Sequence, residues 1–178
     1  MRIEVLPLAG AALLHGDVHR DDRGCFRRVL DVPALAGQGL DTAIVQISVA
    51  TNHEAGTIRG LHYQAEPHSE TKTLWCSAGS VYDVLVDVRP LSPTYGHIWS
   101  TTLSAHAPVA LSVPPGIAHG YQTLEPDSGM TYVISSAYVA ASARCLRWDD
   151  PQLAIGWPLP VSKISDRDRE APTWPPSP

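Results

Sequence analysis

Two histidine-bearing segments carry residues whose types and spacing suit proton transfer. They read GTIRGLHYQ over residues 56–64 and VPPGIAHGY over residues 113–121. A neutral imidazole has an ordinary pKa of about 6.5, so His62 can take a proton at neutral pH when a carboxylate fixes its tautomer. In the second segment a Pro-Gly turn delivers His119 onto a following strand and toward the interior of a β-sandwich. His62 is therefore the candidate general base, and His119 is a second inward-facing group.

Removal of a proton from a carbon beside a carbonyl requires more than a base. The enolate oxygen needs a cation or a hydrogen-bond donor, and reprotonation from the other face needs an acid. Lys72 can stabilise the oxyanion, and Tyr132 can serve as the acid. An isolated His, Lys or Tyr in a strand is more often a structural or surface residue, so these roles need support from elsewhere in the chain.

The same histidines suggest a metal centre as an alternative. A three-ligand site would require His62 and His119 to converge with either Glu70 or His68. The usual pair of histidines separated by one residue is missing, because the residue two positions after His62 is a glutamine. The metal-free interpretation is favoured, and we predict neither a metal nor a cofactor.

The strand with the clearest alternation runs over residues 81–88. Its period of two places Tyr82 and three valines on one face, and Leu85 with Asp83 and Asp87 on the other. A face that mixes leucine with two aspartates either lines a polar cavity or belongs to an edge strand whose carboxylates are in water.

Short strands separated by turns predict an all-β fold. The strand candidates recur at intervals of about 8–12 residues, the spacing of a sandwich or barrel. A short helix is predicted over residues 32–36, because Asp31 can cap it and Pro33 suits its first turn. The other predicted strands cover residues 42–49, 57–64, 71–77, 97–103, 109–113 and 130–138.

Composition limits the partners of the chain. Its 178 residues are 44% hydrophobic and 17% charged, which is enough apolar material for the core of one domain, predicted over residues 1–178. The net charge is -5, and only Lys72 and Lys163 among the 13 basic residues are lysines. Since no run of basic residues forms an electropositive face, nucleic-acid and anionic-membrane partners are disfavoured.

Targeting and redox features favour the cytoplasm. The three cysteines are widely spaced and form no C-x-x-C pair, which suits a reducing compartment. No apolar stretch approaches the roughly 20 residues of a membrane span. The apolar run of residues 5–14 has the length of a signal peptide, but Glu4 and Pro7 interrupt the pattern. We interpret this run as a strand with a turn, in a cytoplasmic protein.

A series of motifs between Asp22 and Trp174 resembles one enzyme family, the dTDP-4-dehydrorhamnose 3,5-epimerases, which are cupin-fold sugar-nucleotide epimerases. Each motif alone is a weak signal, but together they occur in the family's order and at matching spacing. They are DRGCF (22–26), IRGLHYQ (58–64), GSVYDV (79–84), VDVR (86–89), SPTYG (92–96), VPPGIAHG (113–120), WDDP (148–151), IGWP (155–158) and SDRD (165–168).

The resemblance implies a fold and a set of proton-transfer residues. The fold is a cupin-type jelly-roll β-sandwich with a short helix near residues 32–37. By position, His62 is the base and Asp168 holds it. Tyr132 is the opposing acid, and Lys72 lies on the enolate oxygen. These residues supply the base, orienting group, acid and oxyanion stabiliser that proton exchange beside a ketone requires.

The resemblance also implies a nucleotide-sugar site. Arginines suit a diphosphate because the planar guanidinium donates two hydrogen bonds at once. Arg59 and His62 are three residues apart, so a regular strand would point them to opposite faces. A bulge, or a site completed by a second subunit, is needed to use both. The implied substrate-binding residues are Arg23, Gln46, Arg59, His119 and Arg167, with Tyr138 stacking on the base.

Three positions depart from the family pattern, all on the nucleotide side. Arg28 stands where the family usually has a glutamate, Ser48 where it has an asparagine, and Ala143 where it has a glutamate. A buried ligand group without its partner costs about 1–3 kcal/mol, so three losses can weaken binding about 100-fold or more. Arg28 and Ser48 are still predicted to line the substrate site.

The leading prediction is a cofactor-independent epimerase that exchanges protons next to the ketone of a dTDP-4-keto-6-deoxyhexose in deoxysugar biosynthesis. Residue types do not distinguish inversion at C3, at C5 or at both. By analogy with the family, the protein is a homodimer in which residues 1–14 cross to the partner. The proline-rich tail of residues 172–178 is predicted to be extended over the surface.

Three alternatives remain open. The altered nucleotide positions suggest a family member recruited to isomerise, dehydrate or cyclise a carbonyl intermediate of natural-product biosynthesis that carries no nucleotide. A metal-dependent cupin oxygenase ranks third, and a sugar-binding cupin without catalytic activity ranks fourth.

Overall fold

The computed structural model describes residues 1–107 and 109–175, and its strands form two main sheets and one separate hairpin. Within these residues, the helices are α1 (Val32–Ala36) and α2 (Asp166–Arg169). The strands in chain order are β1 (Arg2–Val5), β2 (Ala12–His15), β3 (Val18–Asp21), β4 (Gly24–Arg27), β5 (Gln46–Asn52), β6 (Ile58–Gln64), β7 (Lys72–Ala78), β8 (Ser80–Asp87), β9 (Ile98–Ser104), β10 (Val109–Val113), β11 (Ile117–Thr123), β12 (Ser128–Ile134) and β13 (Ala143–Cys145).

The two main sheets face each other as a sandwich. The six-stranded sheet has the order β1-β2-β10-β7-β12-β5, and the five-stranded sheet has the order β13-β6-β11-β8-β9. Both contribute to one apolar core, in which Leu74 and Met130 of the first sheet pack with Leu85 and Tyr121 of the second. Burial of such side chains is the dominant favourable contribution to folding. The predicted all-β sandwich is confirmed.

Most predicted strands are confirmed with shifted ends. β5 begins at Gln46 rather than at residue 42, because the Asp41 carboxylate accepts a hydrogen bond from the Ala43 N–H at 2.9 Å and holds a turn there. β12 ends at Ile134, four residues before the predicted end. The β3–β4 hairpin and β13 were not predicted. The hairpin residues are mostly exposed, β13 has only three residues, and neither shows apolar alternation.

The short helix and the first hairpin agree with the sequence pattern. The Asp31 side chain caps α1 by accepting a hydrogen bond from the Ala34 N–H at 3.1 Å. Residues 1–14 form β1, a turn and most of β2, and β2 pairs with β10 of the same chain. The exchange of this segment with a partner therefore stays a prediction.

The two aspartates of β8 are buried rather than solvated. β8 lies between β11 and β9, so the interpretation as an edge strand with carboxylates in water is wrong. Asp87 accepts hydrogen bonds from Arg89, Ser92 and Thr94. Burial alone would raise the pKa of Asp87, but these donors outweigh it and hold the pKa well below its ordinary value. Asp83 is hydrogen-bonded to His119 of the neighbouring strand β11.

The C-terminal segment packs along the surface as far as it is described. The Trp174 N–H donates to the Asp150 carboxylate at 2.6 Å, and its ring lies 5.0 Å from that of Tyr95. Residues 176–178 of the predicted tail lie outside the described residues. No helix in the described part of the chain is long and apolar enough to cross a membrane.

Candidate active site

A bulge in β6 places Arg59 and His62 on the same side of the sheet. His62 pairs with His119 of β11, whereas Arg59 pairs with Tyr121, so three steps along β6 match two along β11. Gly60 makes the extra residue possible, because its φ of +131° is a conformation that L side chains rarely adopt. Of the two arrangements predicted from the spacing of Arg59 and His62, the bulge is confirmed.

An open cavity of about 570 Å³ lies between the two sheets. One wall comes from the five-stranded sheet, the facing wall from the six-stranded sheet, and one end from the segment that leads into α2. That segment is held in place because the Ile58 N–H donates to the Lys163 carbonyl at 2.9 Å. The predicted site residues that line the cavity are Ser48, Arg59, His62, Lys72, His119, Tyr132, Arg167 and Asp168.

His62 and Asp168 form a close pair at one end of the cavity. His62 Nε2 lies 2.7 Å from Asp168 Oδ1, and the Gly60 N–H donates to the other carboxylate oxygen at 3.2 Å. Burial alone would raise the pKa of Asp168, but the hydrogen bond and charge of His62, with the Gly60 N–H and the Cys145 thiol, lower it below its ordinary value. The carboxylate is thus ionised at neutral pH, and as an acceptor it fixes the imidazole proton on Nε2. The Nδ1 lone pair of His62 is left free to act as a base.

Lys72 lies beside this pair, and its ammonium group already makes two polar contacts. Its Nζ is 2.7 Å from Glu70 Oε1 and donates to the His62 carbonyl at 3.3 Å. An ammonium group has three donors, so one N–H remains for a group in the cavity.

Tyr132 enters the cavity from the wall opposite His62. It lies on β12 of the six-stranded sheet, whereas His62 lies on β6 of the five-stranded sheet. Burial chiefly, and then the nearby Tyr121 and Asp83, raise the pKa of Tyr132 well above its ordinary value. Its hydroxyl therefore stays protonated at neutral pH and can donate a proton from the opposite side.

His119 has a carboxylate of its own. His119 Nε2 lies 2.8 Å from Asp83 Oδ2, and its ring is edge-on to Tyr132 at 6.0 Å. Asp83 is completely buried, and its other oxygen has no hydrogen-bond partner in the described residues. Burial raises the pKa of Asp83 despite the opposing effect of His119.

A smaller chamber of about 210 Å³ adjoins the main cavity and shares His62, Lys72 and Arg167 with it. Gln46 and Tyr138 line this chamber. The Tyr138 ring is 58% exposed, and its backbone N–H donates to Gln46 Oε1 at 3.1 Å. A flat aromatic face at this position is available for stacking against a planar group.

Two predicted binding residues lie elsewhere. Arg23 is at the exposed tip of the β3–β4 hairpin, where it pairs with Asp21 at 2.6 Å. Arg28 pairs with Asp31 at 3.3 Å beside α1. Neither lines the cavity of its own chain. Within a single chain they do not share a cavity with Arg59. Their role in substrate binding stays a prediction.

Sequence reasoning missed the contacts that three buried or partly buried residues make with the predicted site residues. Glu70 is the partner of Lys72 rather than a metal ligand. Asp83 is hydrogen-bonded to His119. Its position on the mixed face of β8 is the feature of the sequence from which a buried role could have been predicted. Cys145 donates its thiol to Asp168 at 3.6 Å, and no spacing in the sequence indicates this contact.

Neither predicted metal triad converges among residues 1–107 and 109–175. His68 is exposed, and Glu70 is occupied by Lys72. The three donors that do lie within 4.8 Å of one another are His62, Cys145 and Asp168. Burial chiefly, with the nearby Asp168 carboxylate, raises the pKa of Cys145 to about 12, so the thiol keeps its proton at neutral pH. This donor set fits hydrogen bonding better than metal binding, which requires the thiolate.

The fold is a cupin-type β-sandwich, and its cavity has His62 and Tyr132 on opposed sheets. The chain belongs to the dTDP-4-dehydrorhamnose 3,5-epimerase family, because the model of that family matches residues 5–175. The predicted family and the predicted class of enzyme, an isomerase, are both confirmed.

Similar proteins and solved structures agree with this assignment over nearly the whole chain. The dTDP-4-dehydrorhamnose 3,5-epimerase of Sinorhizobium fredii is 36% identical over 97% of this chain and 89% of its own length. The crystal structure of the Bacillus anthracis dTDP-4-dehydrorhamnose 3,5-epimerase with TDP and PPi bound has a TM-score of 0.92 at 37% identity, covering 97% of this chain and 98% of that one. ChmJ, a 3'-monoepimerase from Streptomyces bikiniensis in complex with dTDP-quinovose, has a TM-score of 0.89 at 32% identity, covering 96% and 86%.

Proposed function

We propose that this protein epimerises a dTDP-4-keto-6-deoxyhexose by proton exchange at a carbon next to the ketone. The observation that carries the proposal is the placement of His62 and Tyr132 on opposed sheets across one cavity. A sugar ring held between the sheets would present one face to a base and the other face to an acid. Removal of a proton from one face and delivery to the other inverts the carbon.

His62 and Lys72 carry out the first step. The Nδ1 of His62 takes the proton, and the electron pair of the broken C–H bond moves into the enolate. Its negative oxygen accepts the remaining N–H of Lys72, which is a charge-assisted hydrogen bond. Asp168 stabilises the imidazolium that forms, since its carboxylate is 2.7 Å from Nε2.

Tyr132 carries out the second step. Its hydroxyl proton passes to the same carbon from the opposite face, and the electron pair of the enolate forms the new C–H bond. Exchange with water then returns a proton to the phenolate and removes one from His62. No electrons leave or enter the substrate, so the cycle requires no redox cofactor.

We place the nucleotide in the smaller chamber, where Tyr138 offers a face for the base. Arg167, which lines both cavities, and Arg59 of the main cavity can donate to a diphosphate. Ser48 and His119 line the main cavity where the sugar would lie. The bound TDP of the Bacillus anthracis relative and the dTDP-quinovose of ChmJ support a ligand of this class.

We further infer a cytoplasmic homodimer of single-domain subunits, in which the partner completes the site. Arg23 and Arg28 lie outside the cavity of their own chain, on or beside a hairpin that forms a separate two-stranded sheet. β5 is an edge strand whose Ile47 and Val49 are both 66% exposed, an apolar surface that a second copy would cover. Size measurement in solution tests this arrangement, and a monomer with full activity contradicts it.

Solvent deuterium exchange tests the reaction. A dTDP-4-keto-6-deoxyglucose incubated with enzyme in D₂O should gain deuterium at C3, C5 or both, as measured by NMR. His62→Ala should abolish the exchange. The control is His53→Ala, because the His53 side chain is 92% exposed and lies outside the cavity. Absence of exchange with the wild-type protein contradicts the proposal.

A ligand panel separates this function from the leading alternative. Arg28, Ser48 and Ala143 depart from the family pattern, which favours a carbonyl substrate without a nucleotide. A ligand that binds the folded state raises the unfolding temperature. Stabilisation by dTDP and dTMP supports the nucleotide sugar, whereas indifference to both supports the alternative.

A further inference from the structure

We infer that Glu70 is a positioning residue that fixes Lys72 for catalysis and ties it to the loop that carries Tyr138. This inference rests on the proposed function of Lys72. It starts from the ion pair between the two side chains, which is 2.7 Å long. The side chains of Lys72 and Glu70 are only 11% and 10% exposed, so solvent screens the pair little.

The two contacts of Lys72 determine where its last donor points. The ammonium donates to Glu70 on one side and to the His62 carbonyl on another, which fixes a flexible four-carbon side chain. The remaining N–H then has one direction relative to His62, the base that takes the proton from the substrate. Such preorganisation matters because misplacement of a catalytic group by about 1 Å can cost about 100-fold in rate.

A hydrogen bond from Gln64 holds Glu70 in place in turn. Gln64 Nε2 donates to Glu70 Oε2 at 3.0 Å, and Gln64 is almost completely buried. The same amide reaches the loop after β12, because Nε2 donates to the Ala137 carbonyl at 3.2 Å and Oε1 accepts from the Val139 N–H at 2.7 Å. A continuous set of hydrogen bonds therefore connects Lys72 with the backbone on both sides of Tyr138.

The substitution Glu70→Gln isolates this role because the shape of the side chain is kept. A carboxylate accepts hydrogen bonds at both oxygens, from Lys72 and from Gln64. An amide accepts at one oxygen only, so its NH₂ group must face one of the two donors. Glu70→Gln therefore loses the hydrogen bond with either Lys72 or Gln64, and it also loses the negative charge of the carboxylate.

The kinetic test is a KM-against-kcat comparison with a double-mutant cycle. Glu70→Gln should lower kcat for deuterium exchange about 10-fold to 100-fold while KM changes less than about 3-fold. In a Lys72→Met background, the same substitution should have no further effect, because the residue acts through Lys72. The control is Glu66→Gln in the same loop, since Glu66 is exposed and, within the described residues, its side chain hydrogen-bonds to Ser69 alone. An unchanged kcat in Glu70→Gln, or additive losses in the double variant, overturns the inference.

A spectroscopic test does not depend on the activity. The chain has only two lysines, Lys72 and Lys163, so protein labelled with ¹³C at lysine Cε gives two NMR signals, which Lys163→Arg assigns. A fixed Lys72 should show inequivalent ε-protons, and Glu70→Gln should collapse them to the signal of a mobile side chain. An unchanged Lys72 signal overturns the inference. A wild-type protein without exchange activity would instead refute the proposed function, and the two signals would still decide whether Glu70 holds Lys72.

Discussion

His62 and His119 are direct cross-strand partners on β6 and β11, and a buried carboxylate lies behind each imidazole. The two carboxylates differ in their surroundings. Asp168 accepts from His62, from the Gly60 N–H and from the Cys145 thiol, whereas one oxygen of Asp83 has no partner in the described residues. The pKa of Asp168 is accordingly lowered and that of Asp83 is raised. Ionisation of Asp168 is therefore expected to stabilise the folded state, whereas ionisation of Asp83 is expected to destabilise it.

Asp168→Asn should lower both activity and stability. The folded-state pKa of Asp168 lies below its ordinary value of 3.8, so the ionised group stabilises the fold above about pH 4 and loses this contribution as the pH falls through the folded-state pKa. We expect Asp168→Asn to unfold with about 1–3 kcal/mol less free energy at pH 7, with the difference shrinking below pH 4. Exchange should fall about 1000-fold, because the amide no longer fixes the imidazole tautomer. Urea denaturation from pH 3 to 8 measures the first effect, and an equal loss at all pH values contradicts it.

Asp83→Asn should lower activity without lowering stability. The folded-state pKa of Asp83 lies above its ordinary value of 3.8, so ionisation of this group opposes folding as the pH rises above about 4. Replacement of the carboxyl group should leave the free energy of unfolding at pH 7 unchanged or about 1 kcal/mol higher. The rate of exchange should fall about 10-fold, because His119 loses the carboxyl group that it pairs with. A variant that is clearly less stable than the wild type at pH 7 contradicts the assignment.

The sequence predicts the fold and the residues that line the cavity better than it predicts the side chains that contact those residues. Alternation of apolar residues identifies the buried strands, because burial on one face imposes a period of two. Motif positions identify His62, Lys72 and Tyr132, which do line one cavity. The pairing of Lys72 with Glu70 depends on rotamers of two long side chains, and a local pattern contains no such information. The contact of Cys145 with Asp168 joins residues 23 positions apart, which only the packing of α2 on β6 brings together.

The hairpin arginines illustrate a different limit. By resemblance, the positions of Arg23 and Arg28 are predicted to line a nucleotide site. Both residues nevertheless form ion pairs outside the cavity of their own chain. A motif match predicts that a residue contributes to a binding site. It does not show whether that site belongs to the same chain or to another copy of the chain. Arg59 shows the opposite case, because its spacing from His62 predicted a bulge and the register of β6 contains one.

Tyr132→Phe should separate proton removal from inversion. His62 can still remove a proton and return a deuteron on its own face, whereas no acid remains on the opposite face. We expect deuterium exchange to persist within about 10-fold of the wild-type rate while formation of the inverted product falls about 100-fold or more. NMR of the sugar product in D₂O reports both. Equal losses of exchange and inversion would place both proton transfers on one residue or make Tyr132 essential for binding.

Gly60→Ala should damage both the fold and the site. A Cβ at Gly60 would lie 2.5 Å from Gly120 Cα and 3.0 Å from the His119 carbonyl, and both of these are backbone atoms that cannot move aside. Either β6 and β11 separate or the bulge is lost, and in both cases Arg59 and His62 change their relative position. We expect a loss of about 3 kcal/mol or more in the free energy of unfolding, measured in urea, and a fall in exchange of about 100-fold.

Gly24→Ala separates the clash at Gly60 from the cost of its backbone conformation. Gly24 has nearly the same φ, +132°, but an added Cβ would meet nothing within 4 Å. Its substitution carries only the conformational cost of about 1–2 kcal/mol. The difference between the two variants therefore measures the close approach of β6 to β11. If the two substitutions destabilise the protein equally, the bulge tolerates a side chain, and the contact between Gly60 and Gly120 does not explain why Arg59 and His62 share one cavity.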